Sequence, residues 1–244
     1  MALPWPFAQW RIDFIGPLAK GRGVATHAIV TIDYFTKWIE VKALSRITEK
    51  KMTDFIWRKL VGRYGIPCAL IADNDRQFDN HNFRNFCQKL GIELKYCSPT
   101  YPQSNEQVEV ANKIIKRFLK TRFGAKKGVW VDELPSVLWV YRTTHKIATD
   151  ETSFVLTFGH EAVVPVEIRT TTHWTYHFDV QENNGKMYLN LDLLTDQREQ
   201  ASKRSTIYQQ KVVRYYNQKM CIRQFKVGDW VLRKVNQNTK DSIP

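Results

Sequence analysis

The strongest constraint in this chain is an apolar run that ends in an acid. Cys68-Ala69-Leu70-Ile71-Ala72 stops at Asp73, and a polar, turn-rich stretch follows. Such a run, bounded by Pro67 and Asn74, is the pattern of a buried strand that delivers one carboxylate at its end. Farther on, Glu106 to Phe123 has the spacing of a helix, and that helix carries Glu109. Between Asp73 and Glu109 lie 35 residues. Earlier, W-R-I-D-F-I-G-P places Asp13 inside another apolar segment. Three carboxylates from two strands and a helix form a set of hard oxygen donors. Such a set suits a pair of divalent cations engaged in phosphoryl transfer.

The elements between these acids can be placed in order. Trp10 to Ile15 reads as a strand closed by Gly16-Pro17, and Lys20-Gly21-Arg22-Gly23 as a turn. Ala28 to Tyr34 should pair with the first strand as a hairpin, and Trp38 to Ala43 alternates as a third, edge-like strand. Thr48 is placed to cap a helix whose apolar members Met52, Phe55, Ile56, Leu60 and Tyr64 recur up to Gly65. After Asp73, a short helix shows Phe83, Phe86, Cys87 and Leu90 on one side and ends at Gly91, and Ile92 to Cys97 makes a fifth strand. The order is three strands, helix, strand, helix, strand, helix, which predicts a mixed α/β sheet with helices on both faces. Residues 130–144 give a further helix, 152–168 read as irregular with Gly159 and Pro165 as breakers, and 169–187 read as a boundary. A charged helix without a sustained heptad spans about Leu189 to Met220 and reads as a solvated linker.

The helix carrying Glu109 has two faces. At about 100° per residue, Glu109, Asn112, Lys113, Lys116 and Lys120 share one stripe, while Ala111, Ile114, Ile115 and Phe118 lie opposite. Composition bears on this stripe: the chain carries 37 Lys and Arg against 24 Asp and Glu, a formal charge of +13. A chain this basic points to a polyanionic partner, with nucleic acid foremost. Four cysteines without a C-x-x-C pair read as reduced, buried thiols. No apolar run approaches membrane-spanning length, so no membrane partner is expected. His173 and His177 sit in a stretch that does not look helical and are not read as ligands. Asp33, beside Lys37, is read as a structural carboxylate rather than as a rival ligand.

Five motifs then occur in order: W-R-I-D-F-I-G-P, I-D-Y-F-T-K-W-I-E, Y-G-I-P, A-D-N-D-R-Q-F and Y-P-Q-S-N-E-Q-V-E-V-A-N-K. Together they resemble the catalytic core of a retroviral-type integrase, most like those of plant gypsy-type LTR retrotransposons. The resemblance implies an RNase H-like fold for residues 1–168, with a five-stranded mixed sheet flanked by helices. It makes residues 169–220 a linker with a charged helix. F-K-V-G-D-W-V-L-R-K-V, within 221–244, resembles the start of an SH3-like module cut short at Pro244. It also implies that Asp13, Asp73 and Glu109 bind two Mg2+ (or Mn2+) ions for 3′-end processing and strand transfer of retrotransposon DNA. Gln103, Ser104 and Asn105 would touch DNA beside the site. A homo-oligomer and a nuclear location follow from the resemblance and the substrate alone.

The chain departs from the family in its glycines. D-N-G becomes Asp73-Asn74-Asp75, and N-G-Q becomes Asn105-Glu106-Gln107. T-G-x-x-P-F becomes Thr149-Asp150-Glu151-Thr152-Ser153-Phe154. Two readings share the fold and the basic surface: a working transferase, and a DNA-binding remnant whose chemistry has been lost. A nuclease for RNA–DNA hybrids is a third, disfavoured by Y-P-Q-S-N.

Overall fold

A computed structural model describes residues 5–73, 78–97, 129–163 and 179–218. Strand β1 (Gln9–Ile15) pairs antiparallel with β2 (His27–Asp33), which pairs antiparallel with β3 (Ile39–Leu44). On its other side β1 pairs in parallel with β4 (Ala69–Asp73), and β4 in parallel with β5 (Glu93–Cys97). The sheet order is therefore β3-β2-β1-β4-β5, with β3 at an edge. The hairpin, the edge strand and the mixed sheet all match the sequence expectation.

Alternation along β1 sorts the two cores. Trp10 and Ile12, with Ile29, Leu70 and Ala72, meet Met52, Phe55, Ile56, Leu60, Phe83 and Cys87. Those helical residues come from α1 (Glu49–Ile56), its continuation through a π-helical turn (Trp57–Val61), and α2 (His81–Lys89). Each helix starts where its cap residue dictates. The Thr48 hydroxyl accepts from the Lys51 amide at 3.4 Å, and Asn80 Oδ1 accepts from the Phe83 amide at 2.8 Å. On the opposite face, Ile15, Ala28, Val30, Ile32, Ile39 and Val41 meet Trp130, Leu134, Val137, Leu138 and Tyr141 of α3 (Trp130–Thr143).

Several expectations are corrected. Residues 152–168 do not begin irregularly: after the short ladder of β6 (His145–Lys146) and β7 (Glu151–Thr152), Ser153–Phe158 forms helix α4. The Thr152 hydroxyl caps it by accepting from Val155 N at 3.0 Å, and Gly159, at φ 82°, ends it in the left-handed region. Gly159 is thus a helix cap rather than a breaker. The charged helix α5 spans Val180–Gln218, starting well before Leu189. Asp179 Oδ1 accepts from Glu182 N at 2.8 Å and starts it there. Nor is its middle solvated. Leu194, Ala201 and Ser205 are buried, and the Arg198 guanidinium donates to the Leu156 and Thr157 carbonyls at 2.9 and 3.2 Å. Among the cysteines, Cys87 is buried but Cys68 is exposed, at the surface end of β4. The chain divides into two units, Met1–Ile207 and Tyr208–Pro244. Within the second, the described residues are the last turns of α5. The SH3-like stretch lies outside the described residues, as do His173 and His177. Among the described residues, no helix is long and apolar enough to cross a membrane.

Candidate metal centre

The parallel ladder between β1 and β4 sets the site. Gln9 lies opposite Ala69, Trp10 opposite Leu70 and Arg11 opposite Ile71, a constant offset of 60. The ladder ends there; Asp13 and Asp73 each stand two residues farther along their strands, at the parity of Arg11 and Ile71. Directly opposed residues on neighbouring strands point to one face. The two carboxylates therefore share the face that α3 covers farther along the sheet.

Both acids are half-buried. Asp13 Oδ1 accepts from the amide of Phe14 at 2.7 Å, which holds the carboxylate back against its own strand. Asp73 Oδ1 pairs with the guanidinium of Arg11. Arg11 is two residues before Asp13 and so lies on the same face of β1. Its side chain is only 2% exposed, whereas that of Asp73 is 39% exposed. Arg11 is not among the site residues expected from the motifs. Its signal was there: a basic residue at the carboxylate's own parity inside an otherwise apolar strand.

Asp33 is a different kind of acid. It faces Trp10 across the β1–β2 ladder and therefore lies on the opposite face from Asp13. It is fully buried. Its Oδ2 accepts from the amide and the hydroxyl of Thr36 at 2.7 and 2.8 Å, and its Oδ1 accepts from the amide of Phe7 at 3.0 Å. Burial pushes its carboxyl up to about 6, against the pull of Thr36 and of the Lys37 charge. The same burial brings Lys37 down to about 8. This acid ties the β2–β3 turn to the lead-in of β1, as a structural carboxylate should.

A fourth acid, Glu40, was not singled out from sequence. It is buried beside Trp38. Its Oε1 accepts from Arg63 at 2.7 Å, from the Tyr64 hydroxyl at 2.9 Å and from Trp38 Nε1 at 3.1 Å. Its Oε2 lies 3.3 Å from Arg142, whose guanidinium stacks 4.2 Å from the Trp38 ring centre. Such saturation leaves it no room for a ligand.

Of the expected site residues, Asp13 and Asp73 are described, and they lie on one face of the neighbouring strands β1 and β4. Glu109, Gln103, Ser104, Asn105, Asn112, Lys113, Lys116 and Lys120 lie outside the described residues, as do Asp75 and Glu106. Among the described residues, no three His, Cys, Asp or Glu side chains converge on one point. The described part of the site is a carboxylate pair. Its oxygen donors are of the hard type that Mg2+ and Mn2+ prefer, so the donor set fits, with Arg11 already holding one oxygen.

Residues 4–102 match the family model for the integrase core domain. The Pro-Pol polyprotein of Feline foamy virus is 29% identical over 170 residues, covering 70% of this chain and 14% of the polyprotein. The Transposon Tf2-3 polyprotein of Schizosaccharomyces pombe is 27% identical over 165 residues, covering 67% of this chain and 12% of its own length. This chain therefore spans less than a fifth of the curated relatives it matches. Among solved structures, the cryo-EM structure of the simian T-cell lymphotropic virus intasome with PP2A regulatory subunit B56 gamma aligns with a TM-score of 0.55 and 21% identity. That alignment covers 66% of this chain and 57% of the other. The HTLV-2 integrase catalytic core domain in complex with magnesium, in its trimeric form, gives 0.50 and 18%, with 62% and 95% covered. At these identities the likeness shows the fold, and it is the RNase H-like sheet expected from the motifs. Viral and transposon proteins both match, so the resemblance is to retroviral-type integrase cores at large.

Proposed function

Because residues 4–102 match the integrase core domain and the sheet has the fold of integrase cores, we propose that this chain serves DNA integration. In this reading it is a polynucleotidyl transferase that processes 3′ ends and transfers strands of retrotransposon DNA. The observation that carries the reading is that Asp13 and Asp73, each two residues beyond the paired Arg11 and Ile71, lie on one face of the neighbouring strands β1 and β4. Asp13, Asp73 and Glu109 would hold two Mg2+ or Mn2+ ions. When bound, these would supply activation of the attacking oxygen and stabilisation of the leaving one in an in-line displacement. The chain's own part is positioning. The Phe14 amide holds Asp13, the parallel pairing of β1 and β4 puts Asp73 on the same face, and Glu109 would supply the third carboxylate.

Lys113, Lys116 and Lys120, on the stripe of Glu109, would run along the phosphate backbone, with Gln103, Ser104, Asn105 and Asn112 beside the reacting end. The partner would be double-stranded DNA, both element ends and target. The solved structures of like fold include an intasome and a trimeric core, which supports action as a homo-oligomer. A nuclear location follows in this reading from the DNA substrate alone. The chain would be organised as a core over 1–168, a linker with its helix over 169–220, and the start of an SH3-like module over 221–244.

A second reading is a DNA-binding remnant with the chemistry lost. The ion pair between Arg11 and Asp73 favours it, since a guanidinium already occupies a proposed ligand. Strand transfer by the purified chain separates the two. A short duplex is supplied with Mn2+, beside a Glu109→Gln control. Joined products that vanish in the control are the expected result. DNA binding without joining, in the unsubstituted chain, would leave the remnant reading.

A further inference from the structure

We propose that Arg11 is a built-in counter-cation of the carboxylate pair, which competes with the divalent ions for Asp73 and so sets the affinity of the site for metal. The proposal rests on the reading of Asp13 and Asp73 as metal ligands. Three observations carry it. Arg11 and Asp13 are two apart on β1 and share a face, and the ladder places Asp73 on that face too. The Arg11 guanidinium pairs with Asp73 Oδ1. The stem of Arg11 is buried to 2% exposure, so the cation is fixed to the site rather than reaching in from solvent.

The physics follows from charge and geometry. A guanidinium keeps its charge at every working pH, and its planar fork fits a carboxylate. A metal ion that approaches Asp73 meets an oxygen already donated to, and a fixed positive charge beside it. Both effects weaken binding, and in a partly desolvated site they exceed what a surface lysine would do. The buried pair also has a structural side, because a charge buried without its partner is costly. What distinguishes competition from mere support is the sign. Removing a support loosens the site, whereas removing a competitor tightens it toward metal. Arg11 is in this sense a positioning residue, acting on metal through Asp73.

The test is Mn2+ binding by the purified full chain, measured by titration calorimetry. Arg11→Met keeps the length of the buried stem and drops the charge. It should bind Mn2+ about tenfold or more tightly than the unsubstituted chain. Arg11→Lys keeps a cation but loses the planar fork, and its affinity should fall between those of the other two proteins. Asp73→Asn added to Arg11→Met should remove the gain. Equal or weaker binding by Arg11→Met, with binding in both proteins still dependent on Asp73, overturns the proposal and leaves the metal site standing. Binding that is absent, or indifferent to Asp73, in both proteins overturns the metal reading and the proposal with it.

The unsubstituted protein gives a second readout that needs no variant. In a chain labelled with 15N-arginine, the Arg11 guanidinium protons should exchange faster with solvent once Mg2+ saturates the site. Unchanged exchange at saturating Mg2+, where Mg2+ binding depends on Asp73, would also overturn the competition.

Discussion

Glu40 and the pair of Asp13 and Asp73 are both acids in the same sheet, and they are built in opposite ways. Glu40 sits on one face with its side chain 3% exposed, and donors on both oxygens. Two arginines, Arg63 and Arg142, answer its single charge. On the other face Asp13 and Asp73 bring two charges on neighbouring strands. Over a third of the Asp73 side chain remains open to solvent, against one buried guanidinium from Arg11. The first arrangement is finished and spends its charge on holding β3 to the helices. The second leaves one acid open to solvent, the arrangement expected of a carboxylate that takes a ligand rather than one that ties elements together.

The comparison can be broken from either side. The largest expected effect is on Glu40→Ala. It removes the shared partner of Arg63 and Arg142, leaving Arg142 only the Ile39 carbonyl, and should cost about 2–3 kcal/mol in denaturant-melting experiments. Asp13→Asn can still accept from the Phe14 amide. It should change stability by no more than about 0.5–1 kcal/mol while abolishing strand transfer. If the two costs came out alike, the distinction between a structural and a reactive acid would not hold.

Asp33 sharpens the contrast through pH. Burial raises its folded carboxyl from the ordinary 3.8 to about 6, so the folded state binds that proton more tightly than the unfolded chain. The contribution to stability is fully present below about pH 4, falls as pH rises through 6, and amounts to about 2–3 kcal/mol. Denaturant midpoints of the unsubstituted chain and of Asp33→Asn, followed from pH 4 to 7, should diverge by that slope. Parallel curves would mean that the Thr36 and Phe7 donors outweigh burial.

The smallest effect concerns an exposed acid, Asp150. It stands where the family has glycine, and its φ is 55°. A left-handed backbone strains a residue with a Cβ. Asp150→Gly should raise stability by about 0.5–1 kcal/mol, seen as a higher melting midpoint. Three residues on, Ser153 replaces the family's proline at the first position of α4, where proline is favoured. Its hydroxyl is buried without a hydrogen-bond partner among the described residues.

The sheet was legible in the sequence because its strands are punctuated: Gly16-Pro17 after Ile15, Pro67 before Ala69, Gly91 before Ile92. Asp13 and Asp73 were legible for the same reason, each being an acid set in an apolar strand. Helix α4 was not, because six residues give too little periodicity, and its signals are the caps Thr152 and Gly159. The early start of α5 was hidden by its polar first turns. The buried stripe of Leu194, Ala201 and Ser205 is legible only once half-buried Arg198 is seen to reach the carbonyls of α4. Arg11 and Glu40 were missed because sequence shows a charge but not its partner. Arg63 and Arg142 reach Glu40 from distant parts of the chain.

The offset of 60 between β1 and β4 has one more consequence. A strand has only two sides, so register is a matter of odd and even. If β4 slipped by one residue against β1, Asp73 would not drift from Asp13 by degrees. It would turn to the far side of the sheet, into the layer of Phe55 and Phe83, and Ala72 would take its place. The apolar side chains of Leu70 and Ala72 therefore act as a parity check on the chemistry. They keep the acids aligned by making the wrong alignment bury a charge among rings.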